Sequence, residues 1–243
     1  MRKKIWLFIF TIFIAAAFPV FAEEAKGPEV SGSASVDFMS SYVWRGFQLH
    51  EGEAIQPSVG ITYGEFGVNL WSDRNLDTGD AVETDLTLNY AFSKDKFSFD
   101  IGYIYFALDG AEDTQEIYVS VGYDVLLSPT LTIYYDFDKG DGAFITASVG
   151  HDLELSKDIA LSLGAGISYN AESDYSIGDY SDFHNADLSA SLSIPVTVSI
   201  SISPMMAYTV DLSDDAESAI ESLSADGDDS SFIYGGVNIT LSF

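Results

Sequence analysis

The sequence predicts an all-β fold, a transmembrane antiparallel up-and-down β-barrel, and three observations carry that prediction. Period-2 alternation of apolar and polar residues runs through most of the chain, while helical periodicity is almost absent. The connections between alternating segments are short and long by turns. The chain is also strongly acidic, with 10 Lys and Arg against 38 Asp and Glu and a formal charge of −28. Yet it is 47% hydrophobic and 14% aromatic, with a mean hydropathy of +0.14. A soluble acidic domain is usually less apolar, so two kinds of surface are implied, one wet and one greasy. The apolar content excludes disorder. The charge excludes nucleic acid as a partner, because phosphate binding needs a basic face. No cysteine is present, which excludes a disulfide framework and thiol chemistry.

The first 22 residues read as an export signal. Arg2, Lys3 and Lys4 precede an uncharged apolar run from Ile5 to Phe18, and Val20-Phe21-Ala22 offers a signal-peptidase site just before Glu23 and Glu24. A retained anchor is the competing reading, since Ile5 to Ala22 is just long enough to span a bilayer. The expected organisation is a signal peptide at 1–22, a short periplasmic segment at 23–29 and a barrel at 30–243. No later stretch is apolar enough for a spanning helix.

About twelve strands follow from the alternation, at 30–44, 54–63, 66–72, 82–92, 96–106, 115–126, 130–137, 143–153, 158–169, 186–194, 196–209 and 231–243. Residues 97–105 show it well: Phe97, Phe99, Ile101, Tyr103 and Tyr105 share one parity. Short turns are expected at 63–65, 93–95, 127–129, 155–157 and a kink at Pro195. Long connections are expected at 45–53, 73–81, 107–114, 138–142, 170–185 and 210–230. Short turns on the side of both termini and long loops on the other side are the plan of bacterial outer-membrane barrels. Ser213 followed by Asp214, Asp215 and Glu217 reads as the capped start of a short helix inside the last loop.

If the apolar parity faces lipid, the mid-strand acids Asp37, Glu83, Asp85, Asp100 and Asp124 all fall on the inward parity. A charge on the lipid face near the midplane is expensive, so this segregation is informative. The inward positions of the later strands are small and polar, among them Thr146, Ser148, Gly150, Ser162, Gly164, Ser189 and Ser191. They can line water. Tyr42, Trp44, Tyr63, Phe66, Tyr90, Phe92, Tyr103, Tyr105, Tyr169 and Tyr208 lie near strand ends and are expected in interfacial girdles. Twelve strands spaced about 4.8 Å and tilted about 40° give a backbone diameter of roughly 24 Å, leaving a passage on the order of 10 Å. The long loop 210–230 could fold in and plug it.

Several short motifs bear a family likeness: Ser40-Ser41-Tyr42-Val43-Trp44-Arg45-Gly46, Ala54-Ile55-Gln56-Pro57, Trp71-Ser72, Glu83-Thr84-Asp85, Gly102-Tyr103-Ile104-Tyr105 and Glu116-Ile117-Tyr118. On these the chain resembles the TorF-type porins, exported barrels of unknown function, mainly across the first half. The later Ser-rich strands and acidic loops depart from that pattern. The resemblance implies a porin-like barrel in the bacterial outer membrane and names no substrate. The terminal Phe243, on an alternating last strand, resembles the sorting signal typical of outer-membrane barrels as a class, which implies the barrel-assembly machinery as a partner. Outer-membrane lipid and lipopolysaccharide, and small ions or solutes, are the other expected partners.

The expected function is passive diffusion of ions or small solutes, favouring cations. Arg45 is expected at the outer mouth facing Glu83 and Asp85 across the lumen, the kind of opposed charge by which pores select ions. A structural ion pair bracing the loops is the equally weighted alternative. Asp214, Asp215, Asp226, Asp228 and Asp229 would add negative charge at the mouth. The run 226–229 lacks the EF-hand spacing, so no metal site and no cofactor are expected. An adhesin with acidic loops is the alternative reading. A hydrolase built on His184 is the less favoured one, because a loop histidine among acids is usually only exposed.

Overall fold

The structure is a computed structural model that describes residues 27–225 and 227–243; the expected signal peptide and Asp226 lie outside the described residues. Fourteen strands and one helix follow in chain order. They are β1 (Val30–Met39), β2 (Tyr42–Trp44), β3 (Phe47–His50), β4 (Ala54–Tyr63), β5 (Phe66–Asn75), β6 (Ala81–Lys94), β7 (Phe97–Leu108), β8 (Thr114–Tyr123), β9 (Thr130–Asp136), β10 (Gly142–Ser156), β11 (Ile159–Ala171), β12 (Ser181–Pro195), β13 (Ile200–Asp211), α1 (Asp214–Leu223) and β14 (Ser231–Ser242). Twelve of the strands close into an antiparallel barrel, each paired with its sequence neighbour, while β2 and β3 form a separate two-stranded sheet.

Closure joins β1 to β14 on one side and to β4 on the other, with Asp37 opposite Asn238 and Gln56. The seam is completed by the last residue. Phe243 and Gly32 exchange two backbone hydrogen bonds of 2.7 and 2.9 Å. A Cβ on Gly32 would come within 2.6 Å of the Phe243 ring, so glycine is what lets that ring lie across the seam.

The alternation then sorts side chains by face. Outward positions carry an exposed apolar belt that includes Val59, Val68, Leu88, Ile101, Val119, Ile133, Ile167, Leu188 and Ile239. An exposed apolar surface this continuous is far larger than a soluble monomer carries and marks a lipid-facing wall. Aromatic rings cluster at its short-turn end, where Phe66 meets Tyr90 at 4.8 Å and Phe97 meets Tyr123 at 4.9 Å. At the other end Tyr169 meets Phe183 at 5.6 Å.

Four local expectations are corrected. The first strand does not run to residue 44: β1 ends at Met39 and the chain turns into the lumen. Tyr42 and Trp44 therefore pack inside the barrel and not in a girdle. Strand β8 stops at Tyr123, which leaves Asp124 exposed in the turn 124–129 instead of in mid-strand. The kink at Pro195 is a true turn over 196–199, because the Thr197 hydroxyl accepts the amides of Ser199 and Ile200 and closes it.

Helix α1 forms where its capping pattern placed it. Ser213 accepts the Ala216 amide at 3.2 Å, and Asp214, Asp215 and Glu217 occupy the positive first turn. Its buried residues, Ala216 and Ile220, face the barrel mouth.

A charge placed on the belt tests the parity. Val119 sits opposite Ile101 and Ile133 on the outward face. Val119→Arg is expected to cost about 2–4 kcal/mol near the midplane. Equilibrium unfolding in lipid vesicles would read this, and an unchanged midpoint would mean that residue 119 faces water.

Candidate functional site: a plugged lumen

The outer half of the lumen is filled by the hairpin β2–β3. Its tip is a two-residue turn, Arg45-Gly46, with φ of 47° and 87°. Both central residues of a tight hairpin turn of this twist need positive φ, which suits Gly46 and strains Arg45. Three contacts hold the strained tip. The Arg45 guanidinium donates to both oxygens of Glu116 on β8, at 2.8 and 2.6 Å. It also lies over the rings of Trp44, Tyr134 and Phe144 at 4.4–4.7 Å. The Arg45 carbonyl accepts a hydrogen bond from His184 Nε2 at 2.7 Å.

A sheet irregularity puts His184 there. The register between β11 and β12 shifts between Ile167 and Tyr169, so two residues, His184 and Asn185, stand opposite Ser168. Both side chains turn inward as a result. Since a carbonyl only accepts, Nε2 carries the proton and Nδ1 accepts the Tyr180 hydroxyl. His184 is fully buried with both ring nitrogens engaged, a tether for the hairpin and not an exposed loop residue.

Two further ties anchor the base of the hairpin. Tyr42 donates to Glu83 Oε2 at 2.7 Å. His50 Nε2 meets Asp73 Oδ2 at 2.8 Å, and Gln56 donates to the other Asp73 oxygen. Above the hairpin, an apolar cluster of Phe47, Phe144, Ile177, Ile220 and Phe232 joins it to the loop 172–180 and to α1. The chain leaving α1 bonds the hairpin edge through the Ala225 amide and the Gln48 carbonyl, at 2.7 Å. The plug is thus mainly loop 40–53, with 210–230 as its lid.

The expected opposition of Arg45 to Glu83 and Asp85 across water is therefore corrected. Arg45 is neutralised by Glu116, an inward residue of the motif Glu116-Ile117-Tyr118 whose parity alone could have flagged it. Glu83 and Asp85 do line the interior on β6, with Glu83 tied to Tyr42. Asp37 accepts from Asn238 at 2.9 Å. Asp100 accepts from Asn89 and Tyr118 at 2.9 and 3.0 Å. Asp187, next to the bulge, accepts from Asn185 and joins this inner set. Asp214, Asp215, Asp228 and Asp229 are exposed on the outer loops.

Below the plug the lumen opens toward the end that carries the short turns. A chamber of about 520 Å³ has Arg45 in its lining together with Thr146, Ser148, Gly164, Ser168 and Asp187. A second space of about 490 Å³ shares Ser128, Gly150, Gly164 and Ser189 with it and reaches Asp152 and Ser162. Hydroxyls, glycines and carboxylates make this a wet vestibule that ends at the hairpin.

Comparison with known proteins agrees with the architecture. Residues 50–157 match the family described as "Putative MetA-pathway of phenol degradation". No curated protein matches the chain in sequence. Among solved structures, the NanC porin is 12% identical, with 88% of this chain and 99% of that chain covered and a TM-score of 0.51. The KdgM porin in complex with disordered oligogalacturonate is 13% identical, with the same coverage and a TM-score of 0.55. The fold is that of outer-membrane porins, and the apolar belt fits that membrane. The family match carries a different description from the TorF-type one that the motifs suggested.

Removing the guanidinium tests the plug. Arg45→Met leaves Glu116, only 1% exposed, without its counter-charge. A loss of about 3–5 kcal/mol is expected, with faster hydrogen exchange at 42–50, and Glu116→Gln added to it should restore part of the stability. Unchanged exchange at the hairpin would mean that the aromatic packing alone holds the tip.

Proposed function

We propose that the chain is a passive outer-membrane channel for small solutes, favouring cations and neutral molecules, with the hairpin 42–50 as its restriction. The observation that carries this is the charge balance of the lumen. Asp37, Asp100 and Asp187 point inward, while Arg45, already paired with Glu116, is the one Lys or Arg inside the barrel among the described residues. Uncompensated carboxylates along a narrow wet wall raise the local concentration of cations and repel anions. Oligogalacturonate, held by one neighbour, is polyanionic; the acidic wall here opposes such a cargo. The motif Ser40 to Gly46, which resembles TorF-type porins, supports the reading because it builds the restriction itself.

A second reading has its own observation. The outer mouth is packed by an apolar core beneath exposed acidic loops, which favours a surface-binding barrel that conducts little.

Planar-bilayer recording separates the two. The native chain is expected to give small, infrequent currents. Replacing 42–50 with a Gly-Ser link should raise conductance severalfold, and the open barrel should prefer K⁺ over Cl⁻. Asp37→Asn/Asp100→Asn/Asp187→Asn in that open background should move the reversal potential toward zero selectivity. An open barrel that is silent, or selects anions, would rule out the channel reading.

A further inference from the structure

A separate cavity of about 340 Å³ lies on the outer side of the plug, between the hairpin and the wall strands β6 and β7. Trp44, Phe47 and Leu49 form its hairpin side, Phe106 part of its wall, and the exposed Asp109 its rim. Glu83 also lines it and is 5% exposed. The size is that of a small-molecule site, and the lining follows the same rule: mostly apolar, with few polar groups. A dry cavity of less than half this volume suffices for benzene.

Charge distinguishes this cavity from a simple apolar void. Two carboxylates line it and no base does. Arg45, the one Lys or Arg inside the barrel among the described residues, is occupied by Glu116 in a bidentate pair, and His50 by Asp73. Lys139 in the neighbouring loop is held by Glu112 at 3.0 Å. Negative charge beside the cavity is thus left without a cation. Aromatic faces together with a carboxylate are the setting that recognises an ammonium group. A phenolic or other neutral ligand would use the apolar walls but leave that charge unanswered, and a carboxylate ligand would be repelled.

We propose that this outer cavity binds a small organic ammonium ion, an amine carried on an aromatic or branched apolar body. The ammonium group would meet Glu83, and the body would pack between Trp44, Phe47 and Phe106. This binding is independent of conduction, since the plug separates the cavity from the wet vestibule.

Three near-isosteric probes test it: benzylamine, benzyl alcohol and benzoate, titrated at pH 7 into the full chain refolded in uncharged detergent. Ligand-observed NMR against empty micelles gives the readout. Benzylammonium should bind saturably and about tenfold more tightly than benzyl alcohol, and benzoate should not bind. Ala111→Trp, which fills the cavity from an exposed loop position, should abolish binding. Glu83→Gln should remove the preference for the amine over the alcohol. If that variant does not fold, as judged by heat-modifiable migration, Asp109→Asn is expected to weaken the amine alone. Benzyl alcohol binding as tightly as the amine, non-saturable partitioning, or binding that survives Ala111→Trp would each overturn the proposal. A barrel silent in bilayers that still binds benzylammonium would sink the channel and leave the cavity standing.

Discussion

Hydrocarbon offers no hydrogen-bond partner to an unpaired backbone group, and the barrel is organised around that fact. A sheet in lipid cannot keep a free edge. The two bonds between Gly32 and Phe243, together with the pairing of β1 to both β14 and β4, remove the last one. Once the sheet is closed, each residue faces either lipid or lumen by parity alone. The greasy half of the composition becomes the outer wall, and the acidic half becomes the vestibule and the outer loops. The contradiction between a charge of −28 and a positive mean hydropathy is a consequence of closure.

Closure also creates a problem of volume. Twelve strands enclose more space than their short inward side chains fill, so a passage remains unless something enters it. The protein fills the outer half with its own backbone. A hairpin inside a lumen brings buried polar groups with it, and these are met one by one. Glu116 takes the guanidinium, His184 the tip carbonyl, Glu83 the Tyr42 hydroxyl and Asp73 the His50 ring. The strained φ of Arg45 persists because these contacts over-determine it. The inner half receives no such filling and stays lined by hydroxyls and glycine. One barrel thus holds two environments, an aromatic outer compartment and a wet inner one, and their boundary is a single turn.

Much of this was legible in the sequence. Period-2 alternation gave twelve wall strands with termini on the short-turn side, because a two-residue repeat reports directly which face a residue occupies. The helix was legible because a Ser cap followed by acids is a local device. The departures from the alternation pattern were not. Residues 42–44 alternate just as a wall strand does, so nothing local shows that the chain has left the wall after Met39. The bulge at His184 was hidden for a related reason, since an extra residue is visible only against a partner strand 17 residues away. Asp124 went astray because the alternation continues past the last ladder bond.

The sequence by itself determined that this is a barrel, which face of each strand meets lipid, and that its loops and lumen are acidic. These follow from local periodicity and composition, which tertiary contacts only confirm. Tertiary structure alone decided that Arg45 meets Glu116 across 71 positions and not Glu83. It also decided that the plug is the first long loop, and that the lumen divides into two compartments. Those outcomes depend on where a hairpin comes to rest inside a closed cylinder. Long-range packing sets that position, and no repeat in the chain encodes it.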